Sequence, residues 1–273
     1  MSLQERLQEK IEAWRPRTTR LLKEHGDVKV GEVTIAQAIG GARGVKCLVT
    51  DISYLDPNEG IRFRGFTIPE TLEALPKVPG AEMPYVEGHI WLLLTGDVPK
   101  EQEVKELVAE LQKRSKLPKY VFDVLRAMPR ETHPMTMFSA GILAMQSESA
   151  YAEQYQKGIG KMDHWQPSLE DALNLWARLP QLGAFIYRLK YRDDKQIAPD
   201  PKLDMGGNFA KMMGIDKPYD DVARLYFILH SDHESGNVSA HAGHLIASAL
   251  SDPYYATSAM VNGLAGPLHG LAN

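Results

Sequence analysis

The sequence predicts a mainly α-helical protein with a small β region near its N-terminus. From Pro69 onward, apolar residues recur at the spacing of amphipathic helices. Short valine-containing segments with strand character are confined to the region before Pro69. No internal repeat and no low-complexity linker interrupts the chain, so we expect one large helical domain over residues 1–273.

The N-terminal segment predicts one helix followed by three short strands. Leu3, Leu7 and Ile11 share one helix face, and we expect this helix to be interrupted near Pro16 because proline lacks an amide hydrogen. Strands are predicted from β-branched residues and turn signals. Their expected ranges are 27–34, 45–54 and 61–65, the last one following the turn sequence Asp-Pro-Asn-Glu-Gly.

The remaining predicted elements are helices, whose bounds follow from apolar periodicity and capping residues. Pro180 is expected to kink the longest of them. We expect helices over residues 85–94, 100–113, 120–126, 135–150, 168–190, 208–213, 219–233, 238–250 and 253–264.

Four of the nine histidines cluster in one short segment, where a helix break is predicted. Gly236 is typical of the left-handed residue that closes a helix, and Asn237 is typical of the cap that begins the next one. We therefore expect His233 on the last turn of one helix, and His241 and His244 on the following helix. The free amide groups after Asn237 favour an anion, to which His233 can donate. This corner is expected to bind a carboxylate.

A metal site is the alternative interpretation of these histidines, since His-x-x-His pairs are common ligand geometry. The zincin order His-Glu-x-x-His is absent, and the single cysteine, Cys47, lies far upstream. We expect His241 and His244 to make hydrogen bonds within the helical packing instead. An unbroken helix through Gly236 would bring the pairs onto one face, so the metal interpretation stays open at the level of sequence.

His269 lies near the C-terminus, on a loop rich in small residues. Gly266 and Pro267 predict a sharp turn, because glycine permits unusual backbone angles and proline fixes its own φ. An imidazole on such a loop can act as an acid or a base near neutral pH. A lone histidine there is more typical of a turn without chemistry, but its combination with His233 favours a functional role.

The two histidine segments resemble the citrate synthase family. The motifs are His-Ser-Asp-His-Glu-x-Gly-Asn-Val-Ser-Ala-His, which begins at His230, and Asn-Gly-Leu-Ala-Gly-Pro-Leu-His-Gly-Leu-Ala-Asn, which begins at Asn262. Upstream, the resemblance extends through Gly40-Gly-Ala-Arg-Gly, Leu55-Asp-Pro-Asn-Glu-Gly-Ile-Arg-Phe-Arg-Gly and His133-Pro-Met, so it covers essentially the whole chain. It is closest to the form found in mitochondria and some bacteria, and it implies a multi-helical citrate-synthase-like large domain.

This resemblance implies condensation of acetyl-CoA with oxaloacetate and water, which gives citrate and coenzyme A through an enol intermediate. His269 would be the acid that protonates the thioester carbonyl while a separate carboxylate removes a methyl proton. Ser239 would orient that imidazole. His233 would hold oxaloacetate, with a contribution from Asn237.

The resemblance also implies residues that bind coenzyme A. Arg43 matches an arginine that contacts a phosphate, whose oxygens pair well with a guanidinium group. Lys161 lies where the family often has another arginine, and a lysine neutralises phosphate without the two-pronged geometry. Leu268 is expected to contact the same ligand. Coenzyme A enters as part of the thioester substrate, so no separate cofactor and no metal are expected, and the family implies a homodimer.

The resemblance further implies that residues 1–273 are the N-terminal portion of a longer two-domain enzyme. In the family, a small domain, a second histidine, the carboxylate base and the arginines that bind the substrate carboxylates come later in sequence. We therefore expect the small domain and the C-terminal part to be absent from this chain. The chain alone is expected to lack condensation activity.

Composition restricts the classes of binding partner and the cellular compartment that we expect for this protein. A net charge of −4 with a pI near 6.2 argues against a nucleic-acid surface. One cysteine excludes an internal disulfide framework, and no apolar run approaches the roughly 20 residues of a membrane span. The N-terminal sequence lacks the features of a signal or transit peptide, so we expect a bacterial cytoplasmic protein, with the mitochondrial matrix as the alternative.

Two other functions stay open at the level of sequence. The same motifs are compatible with a 2-methylcitrate synthase, which uses propionyl-CoA. The histidine-rich segment is also compatible with a non-catalytic helical module or a metal-binding protein.

Overall fold

The computed structural model describes residues 1–40, 44–46, 48–234 and 236–270. Within these ranges the chain forms thirteen α-helices and one small antiparallel sheet, which confirms the mainly α prediction. The helices are α1 (Leu3–His25), α2 (Ile35–Ile39), α3 (Ile68–Ala74), α4 (Val86–Thr95), α5 (Glu101–Arg114), α6 (Lys119–Ala127), α7 (Pro134–Ala144), α8 (Ala150–Gln156), α9 (Trp165–Tyr191), α10 (Met205–Met213), α11 (Tyr219–Leu229), α12 (Val238–Ser248) and α13 (Pro253–Leu264). The strands are β1 (Ser53–Asp56), β2 (Gly60–Phe63) and β3 (Phe66–Thr67).

Helix α1 runs without a break through Pro16, so the predicted interruption is wrong. Pro16 and Glu12 are both exposed, and water can bind the Glu12 carbonyl that proline leaves without an amide partner. Lys10 on the same helix pairs with Asp97 at 2.8 Å, which holds α1 against the end of α4. None of the helices in the described ranges combines the length and the apolar character that a bilayer span requires.

The β region is smaller than the valines predict. Residues 27–34 contain no strand, and within the described part of 45–54 only the last two residues belong to β1. The strand predicted over 61–65 is present as β2. Val28 and Val30 are exposed, and a valine-rich segment becomes a strand only where a second strand can pair with its backbone.

The sheet is a hairpin with a short third strand. β1 pairs with β2 in antiparallel register, with Ser53 opposite Phe63, and β3 pairs with the other side of β2. β1 therefore lies at one edge of the sheet. Asp56 shapes the hairpin turn, since its Oδ1 accepts hydrogen bonds from the N–H groups of Asn58 and Glu59 at 2.8 and 2.9 Å.

Helix α9 lies at the centre of the helical domain and continues through Pro180. Its side chains enter two large apolar clusters. One cluster lies between α6, α7, α9 and α13 and includes Leu125 and Leu182. The other lies between α1, α4, α5 and α9 and includes Trp91 and Leu107. Burial of these side chains is the main term that stabilises the domain.

The helix predicted over 135–150 ends at Ala144 as α7, and the next α-helix, α8, begins only at Ala150, so the predicted end is wrong. The buried Asp171 on α9 stabilises the break. Its carboxylate accepts hydrogen bonds from the Ser149 hydroxyl at 2.6 Å and from the Ala150 amide at 2.7 Å. These bonds cap α8 from a neighbouring helix, a contact that local periodicity does not contain.

Small residues let α7, α12 and α13 approach closely. Ser139 on α7 and Ser258 on α13 share a hydrogen bond between their hydroxyls at 2.7 Å. A β-carbon on Gly243 of α12 would lie 2.5 Å from the Met260 side chain on α13. The serine and glycine content of these helices therefore serves packing within the chain.

Candidate active site

The candidate site begins where α11 ends, earlier than predicted. Helix α11 begins at Tyr219 as predicted but stops at Leu229, so the predicted end at 233 and the closure by Gly236 are wrong. Ser231 lies beyond the helix end, and its Oγ is 2.7 Å from Nε2 of His89 on α4. The Ser231 hydroxyl also donates to the Ile228 carbonyl at 2.8 Å, which satisfies a carbonyl group of the last turn of α11. His233 is therefore exposed in a loop and not on the last turn of a helix.

Asn237 begins α12, as predicted. Its Oδ1 accepts a hydrogen bond from the Ala240 amide at 3.0 Å, the usual contact of a helix N-cap. The same oxygen accepts the Ser239 hydroxyl at 2.7 Å. On the other side of the amide group, Nδ2 donates to the backbone carbonyl of His233. The cap therefore joins the His233 loop to the first turn of α12.

Ser239 and His269 are in direct contact. Their Oγ and Nε2 atoms lie 2.9 Å apart, although the two residues are separated by the whole of α13. The imidazole is on the predicted turn, where the His269 amide donates to the Gly266 carbonyl at 2.9 Å. His269 is half-buried, so it keeps partial access to solvent.

The Ser239 hydroxyl can select the tautomer of His269. Its single proton has two neighbouring acceptors, Asn237 Oδ1 and His269 Nε2, and it donates to one of them at a time. When it donates to Nε2, the neutral ring carries its own proton on Nδ1, which is then available to a bound molecule. The arrangement can therefore present a neutral imidazole as a hydrogen-bond donor.

A series of polar contacts connects the two predicted histidines. It runs from the His233 carbonyl through the Asn237 amide group and the Ser239 hydroxyl to the His269 ring. The structure thus brings together four of the residues that the sequence predicts for the site.

The other predicted site residues are exposed or fall outside the described residues. Lys161 is exposed in the turn between α8 and α9, and the Leu268 side chain is fully exposed. Arg43 falls outside the described residues. His241 and His244 are exposed on α12. Across the described ranges, no cluster of three or more His, Cys, Asp and Glu side chains is placed to hold a metal ion.

Sequence reasoning did not identify the residues that hold the His233 loop. Glu234 donates its amide hydrogen to Ser53 Oγ at 2.8 Å, and its carboxylate accepts the amide hydrogen of Leu55. His89, which contacts Ser231, is buried, and burial lowers the pKa of its imidazole to about 4. These partners come from β1 and α4, so no local spacing signal could have indicated them.

A second buried polar group lies beside His89 on α4. Glu87 is buried and accepts the Met205 amide at the start of α10 at 2.8 Å, which extends α10 to Met205 from the predicted start at 208. Burial, with a smaller contribution from nearby Asp204, raises the pKa of Glu87 to about 7. Asp204 itself pairs with the buried guanidinium group of Arg224 at 2.7 Å.

Comparison with known proteins decides the family. The profile described as "Citrate synthase, C-terminal domain" matches residues 41–273, which is most of the chain. The chain belongs to the citrate synthase family. The resemblance carried by the two histidine motifs is confirmed by this match. The mitochondrial citrate synthases of Daucus carota and Aspergillus niger are 48% and 51% identical to it over 275 residues.

Solved citrate synthase structures have the same fold. The enzyme from Pyrobaculum aerophilum matches with a TM-score of 0.74 and 28% identity, over 89% of this chain and 59% of that one. Citrate synthase from Thermoplasma acidophilum, solved in a ternary complex with carboxymethyl coenzyme A and oxaloacetate, matches with a TM-score of 0.70 and 25% identity, over 88% of this chain and 58% of that one. The Daucus carota and Aspergillus niger matches cover 100% of this chain and 58% of each relative, so the chain spans little more than half of their length.

Proposed function

We propose that this chain takes part in the condensation of acetyl-CoA with oxaloacetate and water, which gives citrate and coenzyme A. The observation that carries the proposal is the contact between Ser239 and His269, continued through Asn237 to His233. Membership of the citrate synthase family supports it, as does the ternary complex of the Thermoplasma acidophilum enzyme. The chain covers only part of its relatives, so the activity of the whole protein is proposed from these residues.

In this proposal His269 acts on the thioester. The acetyl methyl group is a weak acid, and a carboxylate base removes its proton only if the negative charge that develops on the carbonyl oxygen is neutralised. The neutral His269 ring, with Ser239 donating to Nε2, directs Nδ1–H at that oxygen. The resulting enol carbon attacks the ketone carbon of oxaloacetate, and water then cleaves the thioester. No residue of this chain is assigned the role of the base.

His233 and the start of α12 provide for the second substrate. The first amide groups of a helix are not used within the helix, and they favour a negative charge. His233 lies next to this helix start, because its carbonyl is bonded to the Asn237 cap. A carboxylate of oxaloacetate bound there would accept hydrogen bonds from the His233 ring, with Asn237 assisting.

Coenzyme A is proposed to bind through three further residues. Arg43 and Lys161 would neutralise its phosphates, Arg43 through two parallel hydrogen bonds and Lys161 as a single flexible charge. Leu268 lies within the His269 turn and is fully exposed, so it can cover the apolar part of the ligand. The thioester is consumed as a substrate, and the proposal requires no separate cofactor.

The proposal includes a homodimer. Apolar side chains that are exposed on α7, α12 and α13 support it, since a partner subunit would remove them from water. They are Leu143, Leu245, Tyr255, Met260 and Leu264. Sedimentation of the full product of the gene should give twice the mass of one chain, and a monomer at micromolar concentration would contradict the homodimer.

The relatives also bear on location and on the choice of acyl group. The Daucus carota and Aspergillus niger relatives are named mitochondrial, which does not support the predicted bacterial cytoplasm, so we propose the mitochondrial matrix. Their names favour acetyl-CoA over propionyl-CoA. Organelle fractionation tests the location. The ratio of kcat/KM for acetyl-CoA to kcat/KM for propionyl-CoA tests the choice of substrate. A higher value for propionyl-CoA would support a 2-methylcitrate synthase.

The decisive experiment measures thiol release from acetyl-CoA by the full product of the gene in the presence of oxaloacetate. His269→Ala should reduce turnover by about 100-fold or more and leave oxaloacetate binding unchanged, because general acid catalysis contributes on this order. His233→Ala should instead weaken oxaloacetate binding. His244→Ala, an exposed histidine on α12, is the matched control and should behave as the wild type. The reverse pattern for His269 and His233 would contradict the assigned roles.

A further inference from the structure

The loop that carries His233 is bonded to the free edge of the sheet. β1 is an edge strand, and the amide group of Leu55 points away from β2 toward this loop, where the Glu234 carboxylate accepts its hydrogen. Two residues earlier on the same strand, the hydroxyl of Ser53 accepts a hydrogen bond from the Glu234 amide at 2.8 Å. Ser53 is buried, so water does not easily replace this bond. Glu234 therefore makes two separate bonds to one strand.

These bonds fix the peptide group that follows His233. A peptide unit is planar, and the His233 carbonyl and the Glu234 amide belong to the same unit. The carbonyl accepts a hydrogen bond from Asn237, and the amide donates one to Ser53. The plane is thus held from both sides, by the cap of α12 and by β1. The His233 ring is exposed, so these bonds fix the backbone from which the ring extends toward solvent.

The backbone of Glu234 indicates that these bonds are needed. Its φ of 48° lies in the left-handed region, which is unfavourable for a residue with a side chain. This conformation turns the chain immediately after His233. Two hydrogen bonds of ordinary strength are sufficient to offset such a cost. The other end of the loop is held independently by the contact of Ser231 with His89.

We propose that Glu234 is a positioning residue, which through its two bonds to β1 holds the backbone of His233 where its imidazole reaches the keto acid. This inference rests on the proposed function, in which His233 binds oxaloacetate. The inference also assigns a role in substrate recognition to Ser53, the first residue of strand β1. The carboxylate acts here as a hydrogen-bond acceptor for Leu55, so its negative charge is not required.

The test compares variants of the full product of the gene by steady-state kinetics and thermal unfolding. Glu234→Ala removes the bond to Leu55 and should raise the KM for oxaloacetate about 10-fold, with a smaller effect on kcat, since small displacements of a binding group have effects of this size. Glu234→Gln keeps an acceptor oxygen and should restore a KM within about twofold of the wild type. Glu73→Ala, an exposed glutamate on α3, is the matched control and should leave KM unchanged.

Ser53→Ala provides a second test if Glu234→Ala does not fold. It leaves the Glu234 carboxylate in place and should raise the same KM by a similar factor of about 10, because each variant removes one of the two bonds. An unchanged KM in a folded Glu234→Ala or Ser53→Ala protein would overturn the positioning role, as would a Gln variant as impaired as the Ala variant. Absence of thiol release by the wild-type protein would overturn the proposed function and this inference together.

Discussion

Gly263 on α13 lies directly against Ser239 at the start of α12. A β-carbon on Gly263 would be 3.2 Å from the Cα of Ser239 and 3.4 Å from its amide nitrogen. The neighbouring atoms are backbone, which cannot rotate away as a side chain would. The close approach of the two helices therefore fixes the position of the hydroxyl that contacts His269.

Gly263→Ala should displace the first turn of α12 by a few tenths of an ångström and lower turnover by about 10-fold, with a loss of stability of about 1 kcal/mol. The measurement is kcat of the full gene product together with its urea unfolding curve. Gly31→Ala is the control, since a β-carbon at Gly31 would meet no atom within 4 Å. Equal kcat values for the two variants would show that α12 tolerates the added methyl group.

Ser239→Ala should lower kcat about 10- to 100-fold and leave the melting temperature nearly unchanged. The substitution removes the partner of His269 Nε2, while the Asn237 cap keeps its bond to the Ala240 amide. Ser248→Ala on the same helix is the matched control, because the Ser248 hydroxyl contacts only the backbone carbonyl of Leu245 within the described residues. A normal kcat for Ser239→Ala would refute the orienting role.

Asn237→Asp should separate the two roles of the helix cap. Aspartate keeps the oxygen that accepts the Ala240 amide, and it is as good a cap as asparagine, so unfolding should shift by less than about 1 kcal/mol. It cannot donate to the His233 carbonyl, so the KM for oxaloacetate should rise. Urea unfolding and oxaloacetate titration of the same preparation check both results. A stable variant with unchanged KM would contradict the link to His233.

Glu87→Gln should change the pH dependence of stability. Burial raises the pKa of Glu87 from 4.5 to about 7 in the native protein. Between pH 4.5 and pH 7 the native state therefore keeps a proton that the unfolded state has lost. The contribution of protonated Glu87 to the free energy of unfolding is therefore complete below pH 4.5 and is lost as the pH rises through 7. The variant should gain stability relative to the wild type over this range, by up to the order of 3 kcal/mol.

Urea unfolding at pH 5 and pH 8 measures this difference, with Glu24→Gln on the exposed surface of α1 as the control for loss of one carboxylate. The comparison must be made between variants, because His89 acts in the opposite direction. The pKa of His89 is lowered from 6.5 to about 4. Its contribution to the free energy of unfolding is therefore present above pH 6.5 and is lost as the pH falls toward 4. A constant difference between Glu87→Gln and wild type at both pH values would contradict the prediction.

The helices were predictable where both the apolar periodicity and the capping residues lie within the same short segment of sequence. Helix α13 has the predicted bounds, because Asp252 caps it and Pro253 occupies its first position. Elements that depend on partners were not predictable. The valines of 27–34 lack a paired strand, and the break before α8 depends on Asp171, which comes later in the chain.

The candidate site was predictable in part. The motifs identified His233, Asn237, Ser239 and His269, and the capping role of Asn237 follows from its position before an alanine-rich segment. The end of α11 was misplaced, because the contact between Ser231 and His89 joins segments that are distant in sequence. The same limit applies to Glu234, whose partners lie in β1.

The bonds of Glu234 to β1 have a consequence for synthesis of the protein. Ser53 and Leu55 precede Glu234 by 181 and 179 positions. At roughly 5–20 residues per second, a ribosome needs on the order of ten seconds or more to add that length. Throughout this interval the outer amide groups of the hairpin are open to other nascent chains, which are able to form β-pairs with them. Slow or interrupted translation before α11 should therefore promote aggregation through this strand.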